Sequence, residues 1–291
     1  MKISVVTATY NSGATLRDTL ESVLRQDYPD YELVIKDGGS TDDTLDICRE
    51  YEPKFGGRMK LLTSPDRGIY DAMNQGIAAA AGDVVGTLNS DDFYTSDDIL
   101  QTVARQFEQT PDIDALYGDI HYVKADDTSK LLRYYSSRLF RRSWMRFGFM
   151  PAHPSFYCKK ATYERFKIDG SSAYYDTSYK VASDFEFLLR TIFVGQIKTQ
   201  YIHKDFVTMR YGGVSNRGVR SHGQIFRDHQ RALRENGVYS NIFFLSLRYI
   251  YKIGEIVSSR CLVQKTVDSS QHTFRSTTAK NCKQSQVRTS Q

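Results

Sequence analysis

Asp83-Val84-Val85-Gly86-Thr87-Leu88-Asn89-Ser90-Asp91-Asp92 is an apolar run that ends in two adjacent carboxylates. A short apolar run closed by polar residues reads as a strand buried on both faces. A strand that leaves its sheet directly into paired carboxylates sets negative charge where an open α/β sheet takes its ligand. Oxygen-only ligands of this hardness suit Mg²⁺ or Mn²⁺, ions that serve to grip a diphosphate.

Upstream, the same alternation repeats. Ile3 to Ala8 reads as a short buried strand, followed by Asn11-Ser12-Gly13 and a helix whose Leu16, Leu20, Val23 and Leu24 share one face. Tyr31 to Ile35 is a second strand. It stops at Lys36-Asp37-Gly38-Gly39-Ser40-Thr41-Asp42-Asp43, a glycine-rich turn in which Ser40 and Asp43 have the spacing of a helix-capping pair. Met59 to Thr63 is a third strand, leading to Asp66-Arg67-Gly68 and an alanine-rich helix around Asp71 to Ala81. Strand and helix therefore alternate through to Leu88, which predicts a mostly parallel sheet with right-handed crossovers and one shared edge of strand ends. Asp37 and Asp91-Asp92 both fall at that edge, so they are expected to be neighbours. Further on, a polar helix is predicted near Asp97 to Gln109 and a strand near Ala115 to Val123.

The formal net charge of +5 hides a division. Residues 1–129 hold 11 Lys/Arg against 24 Asp/Glu, a net of −13, while residues 130–291 hold 28 against 10, a net of +18. An acidic half can hold a metal, and a basic half can hold an anionic substrate or lie on anionic lipid. The basic half shows no zinc-finger spacing and no RNA-binding signature, so no nucleic-acid partner is expected. With 291 residues and 40% hydrophobic content, the chain fits one large domain with a C-terminal extension. Cys48, Cys158, Cys261 and Cys282 form no Cys-x-x-Cys pair, which fits a reducing compartment. Met1 to Thr7 is too short an apolar run for a signal peptide, and a cytoplasmic location is expected.

Val5-Val6-Thr7-Ala8-Thr9-Tyr10-Asn11, Asp37-Gly38-Gly39-Ser40-Thr41-Asp42 and Asn89-Ser90-Asp91-Asp92 can each be read alone as a turn, a capping loop or a solvated corner. In this order and spacing they resemble the family 2 glycosyltransferases, inverting enzymes of the GT-A fold. The resemblance covers residues 1–215, is most specific over 1–95 and is looser beyond. It implies a mostly parallel, Rossmann-like central sheet flanked by helices, with a C-terminal helical extension. It implies that Thr7, Thr9, Tyr10 and Asp37 line the pocket for base and ribose, with Asp37 accepting a hydrogen bond from a uracil-like ring. Arg67 and Asn74 match nucleotide-contacting positions, and Asp91-Asp92 matches the metal motif. On that pattern Asp92 is the direct ligand of Mn²⁺ or Mg²⁺, and Asp91 faces the ribose or a metal-bound water.

Inversion needs a base that takes the acceptor hydroxyl proton on the face opposite the diphosphate. The family places it at the start of a downstream helix, commonly in a Glu-Asp pair. The matching segment is Ala182-Ser183-Asp184-Phe185-Glu186, within a helical stretch from Lys180 to Phe193, so Asp184 is the expected base, with Ser183 where Glu is common. Aspartate there also suits a helix N-cap. Glu186, on a different helix face, is a secondary candidate for acceptor or diphosphate contact. His153, held between Pro151 and Pro154, is placed to bind acceptor or complete a metal shell. Tyr211-Gly212-Gly213-Val214-Ser215-Asn216 reads as a loop over the diphosphate, with Ser215 in contact and Arg217 and Arg220 supplying charge, or as a plain surface turn.

The expected organisation is a catalytic domain over 1–215, with 1–129 as the nucleotide-sugar half and 130–215 as the acceptor half. A helical extension follows over 216–257, then a polar tail over 258–291 of disordered composition. Asn241 to Val257 is apolar but interrupted by Arg248 and Lys252. It is too charged to span a bilayer and suited either to the membrane interface or to docking on the core. The implied function is metal-dependent transfer from a nucleotide diphosphate sugar, UDP-linked, to a glycan or lipid-linked acceptor of cell-surface polysaccharide, with peripheral attachment at the cytosolic face of the inner membrane. A sugar nucleotidyltransferase should show a basic glycine-rich loop after the first strand, and Thr9-Tyr10-Asn11-Ser12-Gly13 is not one. A non-catalytic nucleotide-sugar-binding membrane protein is the other alternative.

Overall fold

The computed structural model describes residues 1–168, 170–212 and 219–248. Three βα units open the chain: β1 (Ile3–Thr9) and α1 (Leu16–Leu24), β2 (Tyr31–Asp37) and α2 (Thr44–Tyr51), β3 (Met59–Thr63) and α3 (Ile69–Ala79). Strands β4 (Val84–Thr87) and β5 (Phe93–Tyr94), helix α4 (Ile99–Gln109) and strand β6 (Ala115–Lys124) follow. Beyond them lie β7 (Leu131–Tyr135), β8 (Tyr157–Lys159), α5 (Lys160–Arg165), α6 (Ser183–Leu188), β9 (Thr199–Tyr211) and α7 (Val219–Glu235).

These strands form one sheet in the order β3-β2-β1-β4-β8-β6-β9-β5, with β7 paired to β6. The first four are parallel and in register: Thr9 stands opposite Asp37, Asp37 opposite Thr63, and Val6 opposite Thr87. The expected common edge is therefore present, with the loops after β1, β2 and β4 side by side. Beyond β4 the sheet is mixed, because β8 runs antiparallel to both β4 and β6 while β9 runs parallel to β6.

Alternation along each strand divides the core between the two sheet faces. Val5 and Leu33 face a cluster with Leu20 of α1, Ile47 of α2 and Phe107 of α4. Val6, Val34 and Val85 face the other side, with Met73 and Ile77 of α3, Phe185 and Leu188 of α6, and Leu233 of α7.

Two local expectations are corrected. Ser40 does not cap α2; its hydroxyl donates to Asp37 Oδ1 at 2.5 Å, and α2 has no side-chain cap. The helical stretch near 180–193 is α6 only as far as Leu188, after which Leu189–Val194 winds as a π-helical turn. Such widened turns recur at functional sites.

Candidate active site

The loops after β1 and β2 are laced together. Asn11, at φ 48°, accepts on Oδ1 from the Thr41 amide at 2.8 Å and donates its own backbone amide to Ser40 Oγ at 2.8 Å. The Ser12 amide donates to Thr44 Oγ1, and the Gly13 amide donates to Asp42 Oδ2. A Cβ on Gly13 would fall 1.5 Å from Oδ1 of the exposed Asp43, so a larger residue here would have to push that carboxylate aside. Asp37 is fully buried, and its carboxylate accepts from the Gly39 and Ser40 amides at 2.9 and 3.0 Å. Beneath it, Lys36 is fully buried and ties the edge together, donating to the Asp37 and Ser64 carbonyls and to Asp66 Oδ2. Thr7 and Thr9 are buried with no partner for either hydroxyl, while Tyr10 stands 63% exposed at the rim. Each orphan hydroxyl costs about 1–3 kcal/mol when nothing satisfies it.

The acidic pair divides sharply. Asp92 is fully buried, with Oδ2 accepting from Asn89 Nδ2 at 2.8 Å and Oδ1 without a partner. Burial, reinforced by the adjacent Asp91 charge, holds its carboxyl well above the usual carboxylate range. Asp91 is only partly buried, and burial raises its carboxyl too. Arg210, at the end of β9 and 8% exposed, is the cation beside them. It donates to the Asp91 carbonyl at 2.7 Å, pairs with Asp18 of α1, and lies 5.1 Å from the Phe93 ring centroid. Sequence reasoning missed Arg210 and Lys36; nothing local marks a strand residue 119 positions away as a partner of the acidic turn.

Across the sheet edge opens a cavity of about 270 Å³, lined by Asn89 of the acidic turn and by Tyr70, His153 and Asp184. Asp184 sits in the first turn of α6, half-buried. Burial raises its carboxyl above the ordinary aspartate value, and the nearby His153 partly offsets that rise. His153, in a 3₁₀ turn, shares a hydrogen bond of 2.9 Å between Nε2 and the Tyr175 hydroxyl, and burial lowers its basicity. Tyr70 donates to the Val181 carbonyl and so ties α3 to the entry of α6.

Other expected site residues do different work. Asn74 is a clamp: its Nδ2 donates to the Tyr175 carbonyl at 2.8 Å, and its Oδ1 accepts from the Tyr174 and Tyr175 amides at 2.9 and 2.8 Å. Both ends of the amide are spent on the backbone of Tyr174 and Tyr175, so Asn74 holds that segment in place. Glu186 pairs with Arg190 at 2.8 and 3.0 Å, accepts from Asn236 Nδ2 just beyond α7 and is not among the residues lining the cavity. Arg67 is 80% exposed at its side chain, with Asp71 as partner at 3.5 Å. Ser215 and Arg217 lie outside the described residues.

Among the described residues no group of three or more His, Cys, Asp or Glu could hold a metal unaided. The donors present are Asp91, Asp92 and the Asn89 amide, all oxygen-bearing, with one carboxylate oxygen orphaned. That set fits a hard cation whose shell is completed by a diphosphate and water, as Mg²⁺ is usually bound.

The mostly parallel central sheet flanked by helices is the fold of the GT-A class. The profile of Glycosyl transferase family 2 matches residues 4–169, more than half of the chain, and the chain belongs to that family. It is similar to a PGL/p-HBAD biosynthesis glycosyltransferase of Mycobacterium bovis, 32% identical over 221 residues covering 73% of this chain and 78% of the relative. It is also similar to a putative glycosyltransferase EpsH of Bacillus subtilis, 31% identical over 48% of this chain and 47% of the relative. Among solved structures, S. aureus TarS 1–349 in complex with UDP-GlcNAc superposes with a TM-score of 0.62 at 21% identity, over 80% of this chain and 66% of that one. The mannosyltransferase PcManGT of Pyrobaculum calidifontis, in complex with GDP-Man and Mn²⁺, gives 0.54 at 15% identity, over 86% of this chain and 79% of that one. At these identities the structural likeness carries the fold.

Proposed function

We propose that the protein transfers a sugar, with inversion, from a nucleotide diphosphate sugar to a hydroxyl of a glycan or lipid-linked acceptor, and that the donor is UDP-linked. The observation that carries this reading is a single cavity lined both by Asn89 of the acidic turn and by the half-buried Asp184. A displacement at the sugar carbon needs a base and a leaving-group site that open on one space. Asp184 takes the acceptor proton as the acceptor oxygen bonds to the anomeric carbon. The bond from that carbon to the β-phosphate oxygen breaks, and its electron pair stays on the diphosphate. Its raised carboxyl suits the task, since a base works best when its proton affinity approaches the operating pH.

The orphan Thr7 and Thr9 hydroxyls and the rim position of Tyr10 favour base and ribose binding at the end of β1. Asp37, held by its own turn, shapes that pocket and retains one lone-pair direction on Oδ1 for a ligand donor. Arg67, exposed beside the same edge, is available to the diphosphate. A Mg²⁺ or Mn²⁺ ion bound at this turn would offset the charge on the departing diphosphate. Asp91, partly exposed, is taken as the direct ligand, while fully buried Asp92 has Oδ2 held by Asn89 and only Oδ1 left to face a cation; the sequence expectation put Asp92 in the direct role. His153 orients the acceptor beside Asp184. Participation in glycan biosynthesis rests on the family and on the names of the relatives.

The test is a screen of UDP-, GDP- and dTDP-sugars for release of the nucleoside diphosphate, with and without Mn²⁺. Turnover of a UDP-sugar, lost on chelation, is expected. The reading fails if no donor turns over and Asp91→Ala binds UDP with Mn²⁺ as tightly as the parent.

A further inference from the structure

Tyr239, Ile242, Phe243 and Leu247 hold large apolar side chains in solvent, with Ile242 56% and Phe243 78% exposed. Residues 242–248 are helical, and the opposite face of that turn is already engaged. Leu245 is buried in the core, Phe244 packs on Phe147 with ring centroids 5.0 Å apart, and Ser240 Oγ donates to the Arg146 carbonyl at 2.6 Å. The exposed set is therefore a second apolar face on a turn already docked by its first. An exposed apolar patch of this kind marks an interaction surface.

The 3₁₀ helix Arg142–Phe147, against which this turn packs, continues upstream into Arg138 and Arg141. Arg138, Arg141 and Arg142 are exposed, and Leu139 between them is 49% exposed. Arg141 reaches the Phe140 carbonyl at 3.3 Å, and none of the three has an acidic partner among the described residues. Residues 130–167 as a whole carry ten Lys/Arg and one acid. Exposed apolar side chains on a turn docked against the 3₁₀ helix Arg142–Phe147, and unpaired guanidinium groups at and just before the start of that helix, match one surface chemistry, a bilayer boundary with anionic headgroups.

We propose that this face docks the protein on an anionic lipid bilayer, with Ile242, Phe243 and Leu247 entering the headgroup boundary and Arg138, Arg141 and Arg142 meeting the lipid phosphates. The proposed contact is a peripheral one, and no helix among the described residues is long and apolar enough to cross a membrane. The same segment runs on through Gly148 to Met150, which line the cavity that Asp184 faces. A docked protein would thus hold its acceptor cavity close to the lipid surface. The inference goes beyond the proposed reaction and does not depend on it.

The full chain is to be floated with vesicles of phosphatidylcholine alone and of phosphatidylcholine mixed three to one with phosphatidylglycerol, while release of nucleoside diphosphate is followed separately in detergent-free solution. Binding to the mixed vesicles and little to the neutral ones is expected. Ile242→Glu with Phe243→Glu should cut that binding at least tenfold, and each arginine changed to glutamine should cut it about fivefold, near the typical contribution of one basic residue at such a surface. Circular dichroism serves as the folding control, and Phe243→Ser is the milder variant should the double change unfold the chain. The proposal is overturned if neutral vesicles bind as well as anionic ones, if the glutamate variant still floats, or if the wild type sediments as a dimer that Phe243→Ser dissolves. That last outcome would make a second copy the occupant. Donor turnover without vesicle binding would sink this inference and leave the reaction standing.

Discussion

Around Thr9 and Asp37 the site is made of loops that satisfy one another, whereas around Asp184 it is made of segments that meet only because the chain folds back. In the first region three strands end in register, and residues about thirty apart exchange hydrogen bonds, as Asn11 does with Thr41 and Ser12 with Thr44. In the second, Asn236 beyond α7 bonds α6 itself, while Tyr70 of α3 and the Asn74 clamp hold the segment leading into it at Val181 and Tyr175, from 50 to 111 residues away. The contrast teaches where each kind of change should register. A donor-edge substitution should act on binding with little spread, while one on the acceptor side should act through packing as well as chemistry.

The largest effect is expected at Asp184. Asp184→Asn should lower transfer about 10²–10⁴-fold, the usual worth of a general base, while donor binding measured calorimetrically is unchanged. In the wild type, rate should fall with acidification through a value above that of ordinary aspartate, since the base must be ionised. The same variant should melt higher than the parent at alkaline pH. A carboxyl raised by burial binds more protons folded than unfolded between its ordinary and raised values, so stability declines as pH rises through that window. Wild-type rates retained by the asparagine variant would move the base elsewhere.

Next comes the acidic turn, where two neighbours should separate. Asp91→Asn should cost on the order of a hundredfold in metal-dependent turnover and weaken Mn²⁺ binding in the presence of UDP. Asp92→Asn, at a fully buried position, should cost only a few-fold in Mn²⁺ affinity. The reverse order in a metal titration would restore Asp92 as the ligand.

Arg210→Leu should raise the KM for donor about tenfold, because the Asp91 carbonyl loses a charge-assisted donor and Asp18 loses its partner. Arg210→Lys should recover part of that loss. An unchanged KM with a lowered melting temperature would reduce Arg210 to a strut. The smallest effect on chemistry is expected at Asn74. Asn74→Ala should lower stability by about 2 kcal/mol in urea unfolding through stranded backbone groups at Tyr174 and Tyr175, yet leave the KM for donor as it was. A selective rise in that KM would return Asn74 to the nucleotide pocket.

Much of the first hundred residues was legible from pattern alone. The strand over Met59 to Thr63 matches β3 at both ends, and the predicted neighbours Asp37 and Asp91-Asp92 do share an edge. Strands β5, β7, β8 and β9 were not read. Thr199–Tyr211 carries Lys204, Asp205 and Arg210 on a half-exposed strand, so it lacks the apolar run that announced β4. The π-helical turn after Leu188 was equally invisible, because its apolar spacing is that of an ordinary helix.

By itself the sequence determined the βα alternation, the edge on which the acidic turn stands and the family resemblance that singled out Asp184. All three rest on local periodicity or on motifs read in order along the chain. Only the tertiary structure decided that Asp92 is buried while Asp91 reaches solvent, that Asn74 bonds the Tyr175 backbone and Glu186 pairs with Arg190, and that Arg210 closes on the acidic turn. Burial and pairing are properties of packing between distant segments, and no spacing along the chain records which side chain the returning strand will cover.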